Sequence, residues 1–402
     1  MNNTPLTTDT SHAAGSRVVH AYLHVPFCLR KCSYCAFVSE RIGSGERVKP
    51  YVEALKNQIR LQSFLADRET APLKTLYLGG GTPTCLPSDD LAGILQLVAD
   101  LYGLDQNAEV TIEMNPGTLD RQDLKRLREA GFNRLSIGVQ SLNNDLLSRL
   151  GRSHSVDDVW ATFDMAREAG FSNMNADLML GLPGQTVPDI LEAVRAVVKA
   201  GATHLSFYSL ILEEGTPLAG RVAAGLIDLP DEDDERDQYH AAFELLEELG
   251  LPPYEISCAA RPGFHSHHNV SYWEGRSYYG WGTSASSYID RVRRTMTSST
   301  DEYLEIFADG VQNGDPWAGT AEEERIDDEE AMREYLIFGL RRMQGVSDAE
   351  ALQLLGRGIP DDLRTILDEH TKHGLLRSED SSSWSYTAKG LDLADTVARD
   401  LI

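Results

Sequence analysis

The sequence predicts an α/β protein in which an incomplete TIM-type barrel of about six β/α units precedes a helical, winged-helix-like C-terminal domain. The first supporting observation is a unit that recurs between residues 120 and 210, where an amphipathic helix ends in Ala-Gly and an apolar strand follows at once. Glycine just after the last helical residue is a common helix end, and it stands at Gly131, Gly170 and Gly201. The second observation is a change of pattern beyond this region, where helices and a hairpin replace the β/α units.

Three earlier segments share the apolar character of these strands and are predicted to be strands of the same sheet: Ala21–Val25, Thr75–Leu78 and Val110–Met114. The strands look too uniformly apolar to have one wet face, which is typical of a parallel sheet covered by helices. A barrel built from such units binds ligands at the C-terminal ends of its strands. A doubly wound sheet fits the same pattern and stays open as an alternative.

The C-terminal region is predicted from three helical patterns at Glu334–Met343, Asp348–Leu355 and Asp361–His373, followed by a hairpin and a last helix. This order resembles a winged helix, which often binds nucleic acid. Residues 331–402 carry 12 acidic and 9 basic side chains, so this domain is expected to dock a partner or pack on the barrel instead. The predicted boundaries are a disordered lead over residues 1–17, the barrel with its extension over 18–282, and the C-terminal domain over 283–402.

The charge of the chain excludes some classes of function. A formal net charge of −25, from 62 acidic and 37 basic side chains, argues against a nucleic-acid surface. No stretch reaches the ~18 apolar residues of a membrane span, and residues 1–16 lack the apolar core of a signal peptide. The five cysteines do not form a disulfide framework and suit a reducing compartment, so we expect a cytoplasmic protein.

Three of the five cysteines stand close together, directly after the first predicted strand, at Cys28, Cys32 and Cys35. A [4Fe-4S] cluster normally takes four cysteine ligands, so three leave one iron open to a small molecule. A zinc site is the alternative, but it usually needs CxxC pairs and four ligands. The spacing therefore predicts a cluster, with Cys85 and Cys258 outside it as buried apolar residues.

This cysteine loop, with aromatic Tyr34 before its third cysteine, resembles the signature of the radical S-adenosylmethionine (SAM) superfamily. The resemblance implies that the amine and carboxylate of SAM chelate the open iron and that an electron from the cluster cleaves SAM to a 5′-deoxyadenosyl radical. The run Leu78-Gly-Gly-Gly-Thr-Pro83 resembles the superfamily element that holds the methionyl amine, since glycine lets a backbone approach closely. The SAM-binding residues implied for the loop and this run are Tyr22, Tyr34, Gly80, Gly81 and Thr82.

Four polar residues lie at or near predicted strand ends and complete this predicted site: Glu113, Gln140, Arg152 and Asp177. A carboxylate can accept hydrogen bonds from ribose hydroxyls, and a guanidinium can bind the methionyl carboxylate. Each residue alone could be an ordinary polar residue at a barrel mouth. Together with the phrase Asp177-Leu-Met-Leu-Gly-Leu-Pro-Gly-Gln185 they match the branch of the superfamily related to oxygen-independent coproporphyrinogen III oxidase.

From about residue 20 to the C-terminus the chain is similar to the HemW family of haem chaperones. The oxidase of this branch has a fourth cysteine where this chain has Phe37, and a longer N-terminal extension, so both differences favour the chaperone family. The family motif HNxxYW spans His268 to Trp273 and implies that His268 is an axial ligand of haem, with His265 and His267 as substitutes. Without the resemblance, a structural turn would be the preferred interpretation of this motif.

The resemblance implies a haem chaperone that binds haem, a [4Fe-4S] cluster and SAM and passes haem to haem-dependent, respiratory proteins. The alternative is an oxygen-independent coproporphyrinogen III oxidase that decarboxylates its substrate to protoporphyrinogen IX, and a third is a radical SAM enzyme with another substrate. The partners expected are haem, haem-accepting proteins and an electron donor such as a flavodoxin or ferredoxin. Monomer and dimer both stay open.

Overall fold

The computed structural model describes residues 18–66, 71–308 and 314–402, so the predicted disordered lead lies outside the described residues. Six parallel strands form the centre of a nine-stranded sheet and lie side by side in the order of the chain. They are β1 (His20–Val25), β2 (Leu73–Gly80), β3 (Leu104–Met114), β4 (Arg134–Gln140), β5 (Asn173–Leu180) and β6 (His204–Ser209). The connecting helices are α1 (Val48–Gln62), α2 (Ser88–Tyr102), α3 (Arg121–Ala130), α4 (Asn144–Arg149), α5 (Val156–Glu168) and α6 (Val187–Ala200), with 3-10 turns at Ser63–Leu65 and Pro83–Cys85.

Three short strands extend this sheet at its two ends. The hairpin of β7 (Pro253–Glu255) and β8 (Cys258–Ala260) lies antiparallel beside β6, while β9 (Tyr279–Trp281) pairs with β1 in parallel. The sheet therefore ends at β9 and β7, which confirms the incomplete (β/α)6 barrel. The consecutive strand order disfavours the doubly wound alternative, whose strand order reverses at a switch point.

Helix ends in the barrel follow the predicted signals. Side chains of Asp120 and Ser155 accept hydrogen bonds from the first backbone amides of α3 and α5. Gly131 and Gly201 end α3 and α6 with φ of 119° and 115°, a backbone conformation that favours glycine. The Ala-Gly pattern thus marks helix ends because a left-handed residue has to turn the chain into the next strand.

The two faces of β1–β6 differ in a way that the sequence analysis missed. Side chains facing the helices are apolar and buried, as at Leu23, Leu76 and Ile137. Alternate residues face the barrel interior and are mostly polar or aromatic: Tyr22, Thr75, Tyr77, Glu109, Thr111, Glu113, Arg134, Ser136, Asn175, Asp177, His204, Ser206 and Tyr208. The prediction of uniformly apolar strands was wrong, because the interior of this barrel is a polar site and not a second apolar core.

The chain after β6 adds helices α7 (Pro217–Ala223), α8 (Glu232–Glu248), α9 (His267–Trp273) and α10 (Thr300–Phe307). A small antiparallel sheet contains β10 (Ser286–Ile289), β11 (Val292–Met296) and β12 (Thr320–Arg325). Ile289, Tyr303 and Phe307 pack into the same apolar core as the barrel, whereas a separate core begins at Met332. The boundary between residues 282 and 283 stays a prediction.

The C-terminal core lies between helices and a three-stranded sheet, in the predicted winged-helix-like order. The helices are α11 (Asp328–Gly339), α12 (Asp348–Leu355), α13 (Asp361–Lys372), α14 (Ala388–Asp392) and α15 (Ala394–Leu401), and the strands are β13 (Val346–Ser347), β14 (Leu376–Arg377) and β15 (Ser383–Tyr386). Helix α11 begins six residues before the prediction because the Asp327 carboxylate accepts from the amides of Glu329 and Glu330. Across the described ranges, every helix is too short or too polar to cross a membrane.

Candidate functional site

The cysteine loop leaves the sheet at the end of β1 and is fixed to the barrel at several points. The pair Phe27–Cys28 forms a short parallel ladder with Glu40–Arg41, which closes the loop on itself. The Ser33 amide donates to the Leu150 carbonyl at 2.9 Å, so the middle of the loop is attached to the end of α4. All three predicted ligands are free cysteines and half-buried. One loop therefore presents three thiols at the C-terminal end of the barrel strands.

Two side chains from elsewhere in the barrel approach the sulfur atoms. The Thr82 hydroxyl donates to Cys28 Sγ at 3.6 Å, and Arg152 Nη1 donates to Cys32 Sγ at 3.5 Å. Burial raises the pKa of Cys28 and of Cys35, so an entering metal has to displace their protons. The Thr82 hydroxyl and the Arg152 cation oppose part of this rise in the pKa of Cys28 and so favour the thiolate that such a metal requires.

The three cysteines of the loop suit an iron-sulfur cluster better than a single metal ion. Among the described residues there is no group of three or more His, Cys, Asp or Glu side chains that could hold one metal ion. A cubane cluster has a different requirement, because each thiolate binds a separate iron and the sulfurs need not meet at one point. The donor set of three cysteines in one loop fits a [4Fe-4S] cluster with one open iron.

The glycine run at the end of β2 packs directly on the cysteine loop. A Cβ at Gly80, whose φ is 110°, would lie 2.6 Å from the His24 ring, and one at Gly81 would lie 2.7 Å from the Phe27 carbonyl. The amides of Gly81 and Thr82 donate to the Val25 and Phe27 carbonyls at 2.8 and 2.7 Å. The small size of these glycines is thus needed by the protein itself. A methionyl ammonium, which only donates, would have to use carbonyl oxygens here.

Arg152 lies in the loop after α4 and not near a strand end as predicted, and groups at the ends of β3 and β4 hold it there. Its Nη2 atom donates to the Gly138 carbonyl at 2.7 Å and to the Asn115 side chain, whose amide nitrogen donates to Thr82 Oγ1 at 2.8 Å. A Cβ at Gly138 would lie 2.8 Å from Asn115 Oδ1 and 3.1 Å from Gln140 Nε2, so these side chains gather over a glycine. Gln140 has a φ of 65°, a conformation that non-glycine residues rarely adopt outside special sites. The Nε atom of Arg152 is buried without a partner among the described residues.

Two half-buried carboxylates, Glu113 and Asp177, face the barrel interior. Glu113 accepts from the Tyr77 hydroxyl at 2.8 Å and from the Gly80 amide at 3.2 Å, and burial raises its pKa to about 7. Asp177 accepts from Asn175 Nδ2 at 2.7 Å and from the Ser136 hydroxyl at 3.4 Å, and burial raises its pKa to about 6. Each carboxylate has acceptor capacity left for hydroxyl groups of a ligand.

Two tyrosines predicted for the site have different environments. Tyr22 lies on β1, and its hydroxyl is 3.0 Å from His24 Nδ1, while His24 Nε2 is 2.9 Å from the Val38 carbonyl. Because a carbonyl only accepts, Nε2 carries the proton and the tyrosine donates to Nδ1. Tyr34 packs beside an apolar cluster that includes Leu150 and Leu218 and so anchors the cysteine loop.

His268 lies at the opposite end of the barrel from the cysteines. It is 1% exposed, with Nδ1 2.8 Å from Thr75 Oγ1 and Nε2 2.8 Å from the Tyr272 hydroxyl, and it stacks on Tyr77 at 5.1 Å. Thr75 precedes Gly80 by five residues of β2, which corresponds to about 16 Å along the strand. Both ring nitrogens are engaged, so iron coordination by His268 requires Tyr272 or Thr75 to move.

The neighbouring histidines are more accessible. His267 is exposed, and its backbone amide and that of His268 donate to the Glu109 carboxylate at 3.0 and 3.1 Å. His265 is half-buried and stacks on Tyr254 with 4.2 Å between ring centroids. Helix α9 is therefore fixed at its N-terminus by Glu109 and covers the N-terminal ends of the barrel strands.

Comparison with known proteins agrees with this geometry. The family model of the radical SAM superfamily matches residues 22–197. The chain is 34% identical to the haem chaperone HemW of Bacillus subtilis, over 90% of this chain and 93% of that protein. It is 32% identical to HemW of Escherichia coli strain K12, over 92% of this chain and 94% of that protein. The chain belongs to the HemW family.

A solved structure shares the whole fold of this HemW-family chain. Coproporphyrinogen III oxidase (HemN) from Escherichia coli, a radical SAM enzyme, matches with a TM-score of 0.81 and 24% identity, over 96% of this chain and 90% of that chain. At this identity the match shows the fold alone. It confirms that the radical SAM barrel and the C-terminal helical domain form one architecture.

Sequence reasoning missed several residues of the HemW-family site. Asn115 joins Thr82 to Arg152, and His24 supports both Tyr22 and the end of the cysteine loop. Asn115 carried a usable signal, since it directly follows a strand and precedes a proline. His24 carried little, because only the fold shows that its ring lies under Gly80.

Proposed function

We propose that this protein is a haem chaperone that binds haem, a [4Fe-4S] cluster and SAM and transfers haem to haem-dependent, respiratory proteins. Membership of the HemW family supports the chaperone function. The observation that carries the cofactor part is the three-cysteine loop, in which Thr82 and Arg152 donate to the sulfurs of Cys28 and Cys32.

Cys28, Cys32 and Cys35 would hold the cluster, which when bound supplies one-electron reduction of SAM. The methionyl carboxylate would use Arg152, whose Nε is a buried donor without a partner among the described residues. The ammonium would bind carbonyls of the Gly80–Thr82 run. The protein contributes the orientation of each group and the exclusion of water.

The adenosyl half of SAM would lie deeper in the barrel. Glu113 and Asp177 face the interior from neighbouring regions of the sheet, and both can accept from ribose hydroxyls. Tyr22 and Gln140 border the same space, and Tyr34 belongs to the cysteine loop. These residues would fix the position of SAM relative to the open iron.

Haem would be held by the segment from His265 to Trp273, with His268 as the axial ligand that the family motif implies. Coordination through His268 Nε2 requires the Tyr272 hydroxyl, which lies 2.8 Å away on the same helix, to move. His267 and His265 are the proposed substitutes. His267 is exposed, so it is the most accessible of the three histidines to haem.

The oxidase alternative has less support from the site. The position of the oxidase's additional cysteine is occupied by Phe37, whose side chain is 69% exposed and cannot coordinate iron. The proposed partners are haem-accepting proteins, a flavodoxin-like or ferredoxin-like electron donor at the cysteine loop, and a further copy of the chain in a dimer. A cytoplasmic location is part of this proposal.

The test is anaerobic reconstitution of the full chain with iron and sulfide, followed by titration with haem and an assay on coproporphyrinogen III with SAM and a reductant. We expect one haem per chain and no decarboxylation. Formation of protoporphyrinogen IX would overturn the chaperone proposal in favour of the oxidase. A protein that holds the cluster but binds no haem would overturn it as well.

A further inference from the structure

A chain of hydrogen bonds runs from the start of α9 to Asp177. It begins at the barrel floor, the end of the barrel where the N-terminal ends of the strands lie. The Ser266 amide donates to the Tyr254 oxygen at 3.2 Å, and the Tyr254 hydroxyl lies 2.7 Å from His204 Nε2. His204 Nδ1 lies 2.7 Å from Asn175 Oδ1, and Asn175 Nδ2 donates to Asp177 Oδ1 at 2.7 Å. Four consecutive contacts thus connect a helix cap with a carboxylate in the interior.

The direction of every proton in this chain follows from the chemistry of its ends. A carboxylate only accepts, so the amide nitrogen of Asn175 faces Asp177 and its oxygen faces His204. His204 must then donate from Nδ1, which leaves Nε2 to accept from Tyr254. Burial lowers the pKa of His204 well below its ordinary value, which keeps the ring neutral as this assignment requires.

The central side chains of this hydrogen-bond chain are buried, so water does not compete for their hydrogen bonds. His204 is 0% exposed and Asn175 is 1% exposed. The second nitrogen contact of Asn175 is with Ser136 Oγ at 2.8 Å, and that hydroxyl donates to the other oxygen of Asp177. Both oxygens of Asp177 are thereby fixed on the floor side, and the half-buried carboxylate keeps its remaining acceptor capacity toward the interior.

We propose that Asn175, His204 and Tyr254 are positioning residues that hold Asp177 in the orientation in which it accepts hydrogen bonds from the ribose of SAM. This inference rests on the proposed binding of SAM by Asp177. Aligned donors polarise one another, so the loss of a distant hydroxyl weakens the last hydrogen bond of the chain. Tyr254 thus acts on SAM without contacting it.

The test compares Tyr254→Phe with Tyr279→Phe in the reconstituted full chain, with SAM affinity measured by calorimetry under argon. Both changes remove one hydroxyl from a largely buried tyrosine of the same sheet, but the Tyr279 hydroxyl donates to the Leu65 carbonyl and is not in the chain. We expect Tyr254→Phe to weaken SAM binding by about 2- to 10-fold, the equivalent of one net hydrogen bond, and Tyr279→Phe to leave it unchanged.

A double-mutant cycle separates positioning from general damage to the fold. If Tyr254 acts through Asp177, then Tyr254→Phe has no further effect on SAM affinity in an Asp177→Ala background. The positioning inference is overturned if Asp177→Ala weakens SAM binding but Tyr254→Phe weakens it equally in both backgrounds or in neither. If Asp177→Ala itself leaves SAM affinity unchanged, the proposed SAM site fails first, and the inference fails with it.

Discussion

At the scale of single residues, the site combines groups that are costly to bury with groups that stabilise them. Cys28 and Cys35 have raised pKa values because of burial, as do Glu113 and Asp177. Thr82, Arg152 and Asn175 offset part of this cost through hydrogen bonds. A cluster that binds the thiolates, and a ligand that donates hydrogen bonds to the carboxylates, would offset the rest of this cost.

The first prediction concerns the cluster ligands. Replacing Cys32 with Ala removes one of three thiolates, so the anaerobically reconstituted protein should lose its broad visible absorption near ~400 nm and its iron, about four per chain in the wild type. Cys85→Ala is the matched control, because Cys85 is also half-buried but lies in the turn after Thr82. Iron retained in Cys32→Ala, or lost in Cys85→Ala, would refute the ligand assignment.

The second prediction follows from the raised pKa of Asp177, about 6, and of Glu113, about 7. A protonated carboxyl is a weaker acceptor, so SAM affinity should be full near pH 8 and fall as the pH drops through 7 and 6. Asp177→Ala should weaken SAM binding at pH 8 by on the order of 1–3 kcal/mol. Calorimetry across pH 5 to 8 measures both effects, and a flat pH profile would contradict the assignment.

The third prediction gives the stability consequence of the same shift. Between the ordinary pKa of Asp177, 3.8, and the raised value of about 6, the native state binds more protons than the unfolded state. Stability of the SAM-free protein therefore falls as the pH rises through this window. Asp177→Asn should raise the melting temperature at pH 8, and the gain should shrink at pH 5. A melting temperature lowered at pH 8 would show that the charge stabilises the fold.

At the scale of elements, helix α9 carries the family motif but is also a structural cover of the barrel. Its N-terminus is bound by Glu109, and His268 contacts β2 through Thr75 and Tyr77. Its C-terminal end reaches the other domain, because Trp273 packs under the Arg341 guanidinium at 4.2 Å. Movement of α9 on haem binding would thus change its contacts with Glu109 at one end and with Arg341 at the other.

The fourth prediction tests which histidine of this element binds iron. In His268→Ala the axial imidazole is lost, so the Soret band of bound haem should shift relative to the wild type. His267→Ala is the parallel variant, since His267 is exposed and its removal spares the barrel floor. A Soret shift in His267→Ala alone would move the ligand to that residue and leave the haem proposal standing.

Sequence reasoning succeeded where a signal is local and failed where the fold brings distant residues together. The Ala-Gly helix ends and the positions of Glu113, Gln140 and Asp177 in or at the ends of strands could be predicted, because each depends on a few neighbouring residues. Strands β7 and β9 have three residues each, too few for a periodic pattern. The contact between His204 and Tyr254 joins positions 50 residues apart and is visible only in the folded sheet.

At the scale of the whole molecule, the barrel and the C-terminal domain meet at the buried side chain of Arg342. Arg342 is 3% exposed and contacts Glu350 of α12 at 2.6 Å and Glu274 after α9 at 3.7 Å. Backbone hydrogen bonds from Ile256 to Arg341 and from Met343 to Tyr254 attach the same junction to β7 and its turn. The C-terminal domain is therefore connected to the segment that carries the family motif.

The fifth prediction measures the contribution of Arg342 to stability. Arg342→Met removes a buried guanidinium that pairs with Glu350 and Glu274, so the protein should lose about 3 kcal/mol of unfolding free energy in urea denaturation. Lys125→Met is the control, because Lys125 and Glu129 form an exposed pair at 3.8 Å and such pairs contribute little. Equal stability of the two variants would show that the Arg342 contacts do not stabilise the fold.

Transfer of haem from the loaded protein to a respiratory haem enzyme prepared without haem tests the central claim most directly. The full chain is reconstituted, loaded with one haem, freed of unbound haem and mixed with the acceptor under argon. The account predicts that acceptor activity recovers faster than with an equal amount of free haem. Recovery no faster than with free haem would contradict the account.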